Sequence, residues 1–258
     1  MKNGICLIAA AALRMHADHK SEMVSQILFG ETFCILEATT SWYHVELFHD
    51  HYRGWVARNQ VKTLSDESFE LLENSTKQYA GDMLAGMREI KTGAHFPVSG
   101  GSTLYPGEKG IVKISDREFS YEGEVLTPET VCSRDIAKLA TKFLHTPYLW
   151  GGRSAFGLDC SGFVQLVYKI TGISLPRDAY VQANQGKPVH LIHEALPGDL
   201  VFFDDAEEVI DHVGILIDEA HVIHAHGTVR IDKIDHHGIF NTDTSTYSHP
   251  LRLIKRVT

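Results

Sequence analysis

Four cysteines occur in the chain, Cys6, Cys34, Cys132 and Cys160, and one of them has the surroundings of a nucleophile. Cys160 stands in GLDCSGF, where a glycine-rich loop runs into a stretch of helical periodicity, so it falls on the first residues of a helix. Unpaired backbone N–H groups and the helix dipole favour an anion at such a position. A thiolate is therefore expected to be stabilised there, and the thiolate is the attacking form of cysteine. Cys6, Cys34 and Cys132 have strand or linker neighbours and no base beside them, so they read as small buried hydrophobes. The four contain no CxxC pair and are too dilute for a disulfide framework or a Cys-rich zinc site, which predicts reduced thiols.

A thiol nucleophile needs a base, and the stretch Asp211-His212-Val213-Gly214-Ile215-Leu216-Ile217 supplies one. Val213, Ile215 and Ile217 form a continuous apolar face that belongs to a core, so His212, Gly214 and Leu216 face the other way. In the next strand Val222, His224 and His226 share a face. A three-residue hairpin loop, Asp218 to Ala220, would set His224 opposite Gly214 and make it the diagonal neighbour of His212. Gly214 leaves the room for that approach. A second histidine orienting the first completes a nucleophile, base and orienter arrangement.

The chain has 16 histidines. His16, His19, His49, His51, His190, His193, His236, His237 and His249 lie in loops or near element ends and are read as surface residues. His221, His224 and His226 invite a zinc reading, but His221 points to the opposite strand face, leaving too few convergent ligands for a closed site. No metal and no cofactor are expected. Asp204-Asp205-Ala206-Glu207-Glu208 reads as a solvated acidic loop, and Trp42 and Trp55 as barrel core.

The elements that must position these residues change in texture along the chain. Residues 1–64 show short apolar runs between polar turns, the pattern of a small β-barrel. The polar stretch from Ser65 to Thr76 reads as a linker or a short connecting helix. Met83 to Val125 reads as a second small β unit, with two strands joined near Asp116. After Pro128 the spacing of Val131, Ile136, Leu139, Ala140, Phe143 and Leu144 predicts an amphipathic helix. A second helix is expected from Cys160 to Gly172, with Phe163, Val164, Val167 and Ile170 on one side and the glycine as a left-handed cap. The rest reads as successive strands, so the C-terminal domain is α+β. Three domains follow: 1–64, 65–128 and 129–258.

The sequence is 258 residues long, with 43% apolar and 22% charged residues, an ordinary globular composition. With 24 Lys plus Arg against 33 Asp plus Glu, the net charge of −9 argues against nucleic acid as a partner. The apolar run from Gly4 to Leu13 is too short to span a membrane. It follows a single lysine and precedes Arg14, Met15 and His16 in place of small cleavage-site residues, so it reads as a first strand retained in a cytoplasmic protein. Export, with residues 1–16 as a signal, is the alternative.

The stretch PYLWGGRSAFGLDCSGFV, followed in order by LPRDAYVQANQG, ALPGDLVFF, DHVGILI and HVIHAHG, resembles the NlpC family of bacterial cell-wall cysteine peptidases. The resemblance implies a papain-like domain with Cys160 as nucleophile, His212 as base and His224 as orienter. It further implies that Tyr148 borders the oxyanion site and that Asp159 and Ser161 contact the D-glutamyl part of a substrate. Where relatives often carry serine after the PRD stretch this chain has Ala179, so the substrate hydrogen bond that the resemblance implies there is either missing or supplied by another group. SEMVSQILFGE, Trp42 and DHYRGWV resemble bacterial SH3 domains, giving two small SH3-like β-barrels ahead of the catalytic domain. That combination is similar to endopeptidases of murein peptide recycling. These release L-Ala-γ-D-Glu by cutting the γ-D-glutamyl bond to L-Lys or meso-diaminopimelate when L-Ala has a free amino group. Tyr52 matches the tyrosine that reaches this amine, and Glu22 is the acid that could accompany it. An acyltransferase using the same thioester and a non-catalytic cell-wall peptide-binding module are the competing readings.

Overall fold

The computed structural model describes residues 2–128, 135–204, 207 and 209–257. Cys132, Val131 and part of the acidic run (Asp205, Ala206, Glu208) lie outside the described residues. The chain divides into two compact units, residues 1–130 with 150–156, and residues 131–149 with 157–258.

In the first unit, the apolar run at the N-terminus makes two strands where one was expected, Lys2–Cys6 and Ala10–Arg14. Ile5, Cys6, Ala11 and Leu13 are wholly buried: the second strand buries alternate residues, while the first is covered on both faces, with Ile5 in one core and Cys6 in another. With Met23–Leu28, Thr32–Ala38, Trp42–Leu47, Arg53–Ala57 and Val61–Leu64 they form a seven-stranded antiparallel sheet around Ile27, Phe33, Val45, Leu47 and Val56. Trp42 is core, as expected. Trp55 is half-buried and stacks on His44, with centroids 5.0 Å apart.

The polar stretch after this sheet is a short helix, Asp66–Glu73. Ser65 caps it by accepting the Ser68 N–H at 3.2 Å, and Asp66 and Glu67 sit in its first turn where the dipole favours them. The second β region pairs Ile111–Ile114 with Arg117–Tyr121 through a turn that holds Ser115 at φ 55°. It packs Phe29, Met87, Val98 and Phe119 into one core. Residues 150–156 belong to this unit by their contacts. The Arg153 guanidinium is fully buried, makes a two-pronged ion pair with Glu31 and donates to the Gln26 carbonyl at 2.8 Å. A buried charge of this kind persists only when paired and hydrogen-bonded.

The second unit carries the predicted nucleophile. Its first described helix, Ile136–Thr141, buries Ile136, Leu139 and Ala140 at the expected spacing. The helix Cys160–Ile170 begins and ends where the sequence placed it, with Gly172 at φ 83°. It differs in one respect: every residue is buried, so no face meets water. The polar positions are absorbed by backbone acceptors, Gln165 on the Leu175 carbonyl at 2.9 Å and Tyr168 on the Gly198 carbonyl. The helix packs on the strands Ile210–Leu216 and His221–His226. These belong to an antiparallel sheet in the order Lys187–Val189, Thr246–Arg256, Leu200–Asp204, Ile210–Leu216, His221–His226, Thr228–Asp235, Gly238–Asn241. Thr246–Arg256 pairs both with Leu200–Asp204 and with Gly238–Asn241, closing six strands on themselves. Closure leaves no unpaired edge among those six.

Candidate active site

Cys160 is the first residue of its helix because Asp159 takes an extended backbone and caps it, accepting the Gly162 N–H at 2.7 Å. The Cys160 thiol donates to the Asp211 carbonyl at 3.7 Å and faces the backbone N–H of Val213. Those two residues flank His212, so the predicted nucleophile lies against the strand that carries the predicted base. Gly214 pairs with His224, the register that strand alternation and a three-residue loop demanded. A Cβ on Gly214 would come within 2.6 Å of the Val222 side chain and 3.1 Å of His224 Cβ, so only glycine admits the neighbouring strand this closely. His212 Nε2 lies 2.8 Å from His224 Nδ1. Nδ1 is the ring nitrogen of His212 left for the thiol.

The chain of contacts continues past the expected set. His224 Nε2 reaches Asp232 Oδ2 at 2.9 Å, and Arg230 donates to both Asp232 oxygens at 2.6 and 2.8 Å. Sequence reading missed Asp232. It is the diagonal neighbour of His224 on the following strand, where His224 pairs with Arg230 and Val222 with Asp232. Extending the alternation argument by one strand would have found it.

The electrostatics revise one expectation. Burial, followed by the charge of Asp159, pushes the Cys160 thiol up to about 12, against the opposing pull of the Val213 and Ser161 N–H groups and the Arg177 guanidinium. Burial and the neighbouring His224, His249 and His226 hold His212 well below its usual 6.5. Desolvation therefore opposes the helix terminus, and it favours the neutral form of both the thiol and the imidazole.

Asp159 and Ser161 are buried beside the nucleophile and share the Arg177 guanidinium, which donates to both Asp159 oxygens at 3.0 and 2.5 Å and to Ser161 Oγ at 2.8 Å. Arg177, within the PRD stretch, is the cation that the reading of single residues passed over. Tyr148 is half-exposed, and burial, followed by its proximity to Cys160 and Asp159, raises its hydroxyl to about 12. Ala179 is buried at the start of the short helix Ala179–Gln182. Tyr52 and Glu22 belong to the other unit. The Tyr52 ring packs on the barrel core and its N–H donates to Asp50 at 3.0 Å. Glu22 is exposed and accepts the Trp150 indole N–H at 2.6 Å.

Two histidines read as surface residues are not. His49 is largely buried and pairs with the Asp50 carboxylate at 3.2 Å. His249 lies on the strand Thr246–Arg256 and stacks on His212, with ring centroids 4.3 Å apart and planes at 29°. His226 joins them, 5.0 Å from His249 and 6.4 Å from His212. Barrel closure assembles this cluster from strands distant in sequence.

Residues 145–247 match the model of the NlpC/P60 family, and residues 13–61 match the bacterial dipeptidyl-peptidase Sh3 domain. The chain is 31% identical to gamma-D-glutamyl-L-lysine dipeptidyl-peptidase of Bacillus subtilis (strain 168), over 78% of this chain and 71% of that one. The chain belongs to the NlpC/P60 family. Dipeptidyl-peptidase 6 of Lysinibacillus sphaericus is 25% identical over 95% of this chain and 96% of its own. In fold, an NlpC/P60 family protein from Bacillus cereus ATCC 10987 superposes with a TM-score of 0.83 over 99% of both chains at 21% identity. This NlpC/P60 protein is a cysteine peptidase with bacterial SH3-like sheets ahead of an α+β catalytic fold.

The imidazole cluster ties the stability of this NlpC/P60 enzyme to pH. Burial and the rings of His224 and His226 lower His249 from 6.5 to about 4, and His212 and His224 are lowered as well. The folded chain keeps these rings neutral while the unfolded chain binds protons below 6.5, so the unfolded state holds the extra protons. The cluster's contribution to stability is full above 6.5 and is lost as pH falls through 6.5 toward 4. The thermal midpoint is expected to drop by several degrees between pH 7.5 and 5, and less in His249→Phe, which keeps a ring but removes a titrating group. Equal pH slopes in the two proteins would remove His249 from the cluster's titration.

Proposed function

We propose that this peptidase cuts the γ-D-glutamyl bond to L-Lys or meso-diaminopimelate in cell-wall peptides with a free N-terminal L-Ala, releasing L-Ala-γ-D-Glu for murein peptide recycling. The observation that carries the reading is the Cys160, His212 and His224 set, joined by the 2.8 Å contact between the imidazoles. The name of the Bacillus subtilis relative supports the bond type. As Cys160 Sγ attacks the γ-carbonyl carbon, its proton passes to His212 Nδ1. The imidazolium then gives that proton to the departing amine, leaving a thioester. Water, deprotonated by His212, attacks the thioester and restores the thiol.

For the substrate amine we assign Glu22 and Tyr52. Glu22 is exposed and held by Trp150 through Oε1, so Oε2 is presented to an ammonium. Asp50, the acid beside Tyr52, is already engaged by His49 and the Tyr52 N–H. We place the reaction in the cytoplasm, a reading that fits the burial of Ile5, Cys6, Ala11 and Leu13 in two strands of the first sheet.

The test is incubation with L-Ala-γ-D-Glu-L-Lys, its diaminopimelate analogue and the N-acetylated tripeptide, followed by mass analysis. Loss of a charged partner in a desolvated site costs ~2–5 kcal/mol, a factor of roughly 30 or more in kcat/KM. The acetylated peptide is expected to be slower by at least that factor, and Glu22→Gln to narrow the gap by harming the free peptide. Equal kcat/KM for free and acetylated peptides would refute amine recognition. A product that carries an added amine in place of water would favour acyl transfer.

A further inference from the structure

Three side chains, on three successive strands, repeat one geometric step. His212 and His224 are diagonal neighbours, and so are His224 and Asp232. The contacts are 2.8 and 2.9 Å, and all three residues are buried. The strand Thr228–Asp235 breaks its own pattern to achieve this: Ile231 is 37% exposed while Asp232 is 4% exposed. Turning an isoleucine outward and an aspartate inward costs stability, and such local violations mark positions held for another reason. Arg230 grips both Asp232 oxygens and also reaches Asp243 at 2.9 Å, so the carboxylate is charged and fixed in orientation.

We propose that Asp232 is a positioning residue that sets the tautomers of both active-site histidines, so that His212 presents an unprotonated Nδ1 to the Cys160 thiol. This rests on the reading of Cys160 and His212 as the reacting pair. A carboxylate only accepts, so His224 Nε2 must carry the proton in their contact. A neutral His224 then has a bare Nδ1, which in turn accepts from His212 Nε2–H. His212 is left with its lone pair on Nδ1. With no acceptor at position 232, His224 is free to carry its proton on Nδ1 and donate it to His212 Nε2. That places the His212 proton on Nδ1, facing the thiol, and leaves no base there. When the thiol proton arrives at Nδ1, the imidazolium keeps its Nε2–H on His224, whose far side is held by the Asp232 charge. No net proton leaves the relay, because Asp232 stays ionised throughout. A structural reading alone, in which Asp232 merely pairs Arg230, does not require the 2.9 Å contact to His224.

The decisive measurement is long-range proton–nitrogen NMR on the full chain labelled with 15N-histidine, with His212→Gln and His224→Gln used to assign the two rings. The unmodified protein is expected to show Nε2–H tautomers for both, and Asp232→Ala, which leaves no acceptor there, a gain of the Nδ1–H form of His212. Nδ1–H on His212 in the unmodified protein would overturn the proposal, and this readout needs no variant of Asp232 to fold. Kinetically, removing a group that orients a catalytic ligand through a neighbour costs ~10–100-fold. That loss is expected in kcat on L-Ala-γ-D-Glu-L-Lys, with KM little changed, and in the rate at which iodoacetamide labels Cys160 at pH 7. In a His224→Gln background the same Asp232 substitution is expected to change both by less than about twofold, since its intermediary is gone. A further full-sized loss there would make Asp232 structural. If Cys160→Ala stayed active, the reading of the reacting pair would fall. If that variant were inactive while Asp232→Ala kept full kcat and labelling, only the present inference would.

Discussion

Cys160→Ala is expected to abolish peptide hydrolysis while leaving the fold intact. The substitution removes the atom that forms the thioester, and losing a nucleophile in a concerted set costs ~10⁴-fold or more. The helix start does not depend on the sulfur, because its cap is the Asp159 carboxylate on the Gly162 N–H. A thermal midpoint within a few degrees of the parent, together with no released L-Ala-γ-D-Glu by mass spectrometry, is the expected outcome. Cys6→Ala, Cys34→Ala and Cys132→Ala are expected to stay active. Cys6 and Cys34 are buried in sheet strands, and burial, with the charge of Glu31, pushes the Cys6 thiol up to about 12. Full activity in Cys160→Ala, with loss on chelation, would transfer the chemistry to a metal.

The second large effect separates the two imidazoles. With burial pushing the thiol up to about 12, it needs a base to give up its proton near pH 7. His212→Ala removes the sole proton acceptor in the scheme, and kcat is expected to fall by ~10³-fold or more. His224→Gln keeps an amide able to accept from His212 Nε2–H, so a loss within ~100-fold is expected. Because His212 is held well below 6.5, kcat/KM of the parent should stay level from pH 8 down past 6.5 and fall only in more acidic buffer. An acid limb at or above 6.5 would contradict a neutral resting imidazole. Equal and complete loss in both variants would give His224 a chemical role beyond orientation.

Much of this site was legible in the chain. GLDCSGF announces a candidate nucleophile at a helix start within seven residues, since helical periodicity is a local property, whereas the Asp159 cap came from the structure. DHVGILI and HVIHAH specify a hairpin whose register follows from the period of two, and that register brings His224 to His212. The buried helix Cys160–Ile170 was read as one-sided because sequence shows polarity, while the acceptors that satisfy Gln165 and Tyr168 come from carbonyls of Leu175 and Gly198. His249 looked like a loop residue, lying 37 positions from His212 in a polar stretch.

By itself, then, the sequence determined that Cys160 opens a helix and that His224 meets His212 across a hairpin, because each depends on spacing along a helix or across one pair of strands. Tertiary structure alone decided the rest. Closing the barrel through Thr246–Arg256 laid His249 on His212, and packing buried the thiol and the imidazoles so deeply that desolvation opposes the helix terminus. Those outcomes depend on long-range strand pairing and on the dielectric around a filled interior, and neither is a property of any short stretch of chain.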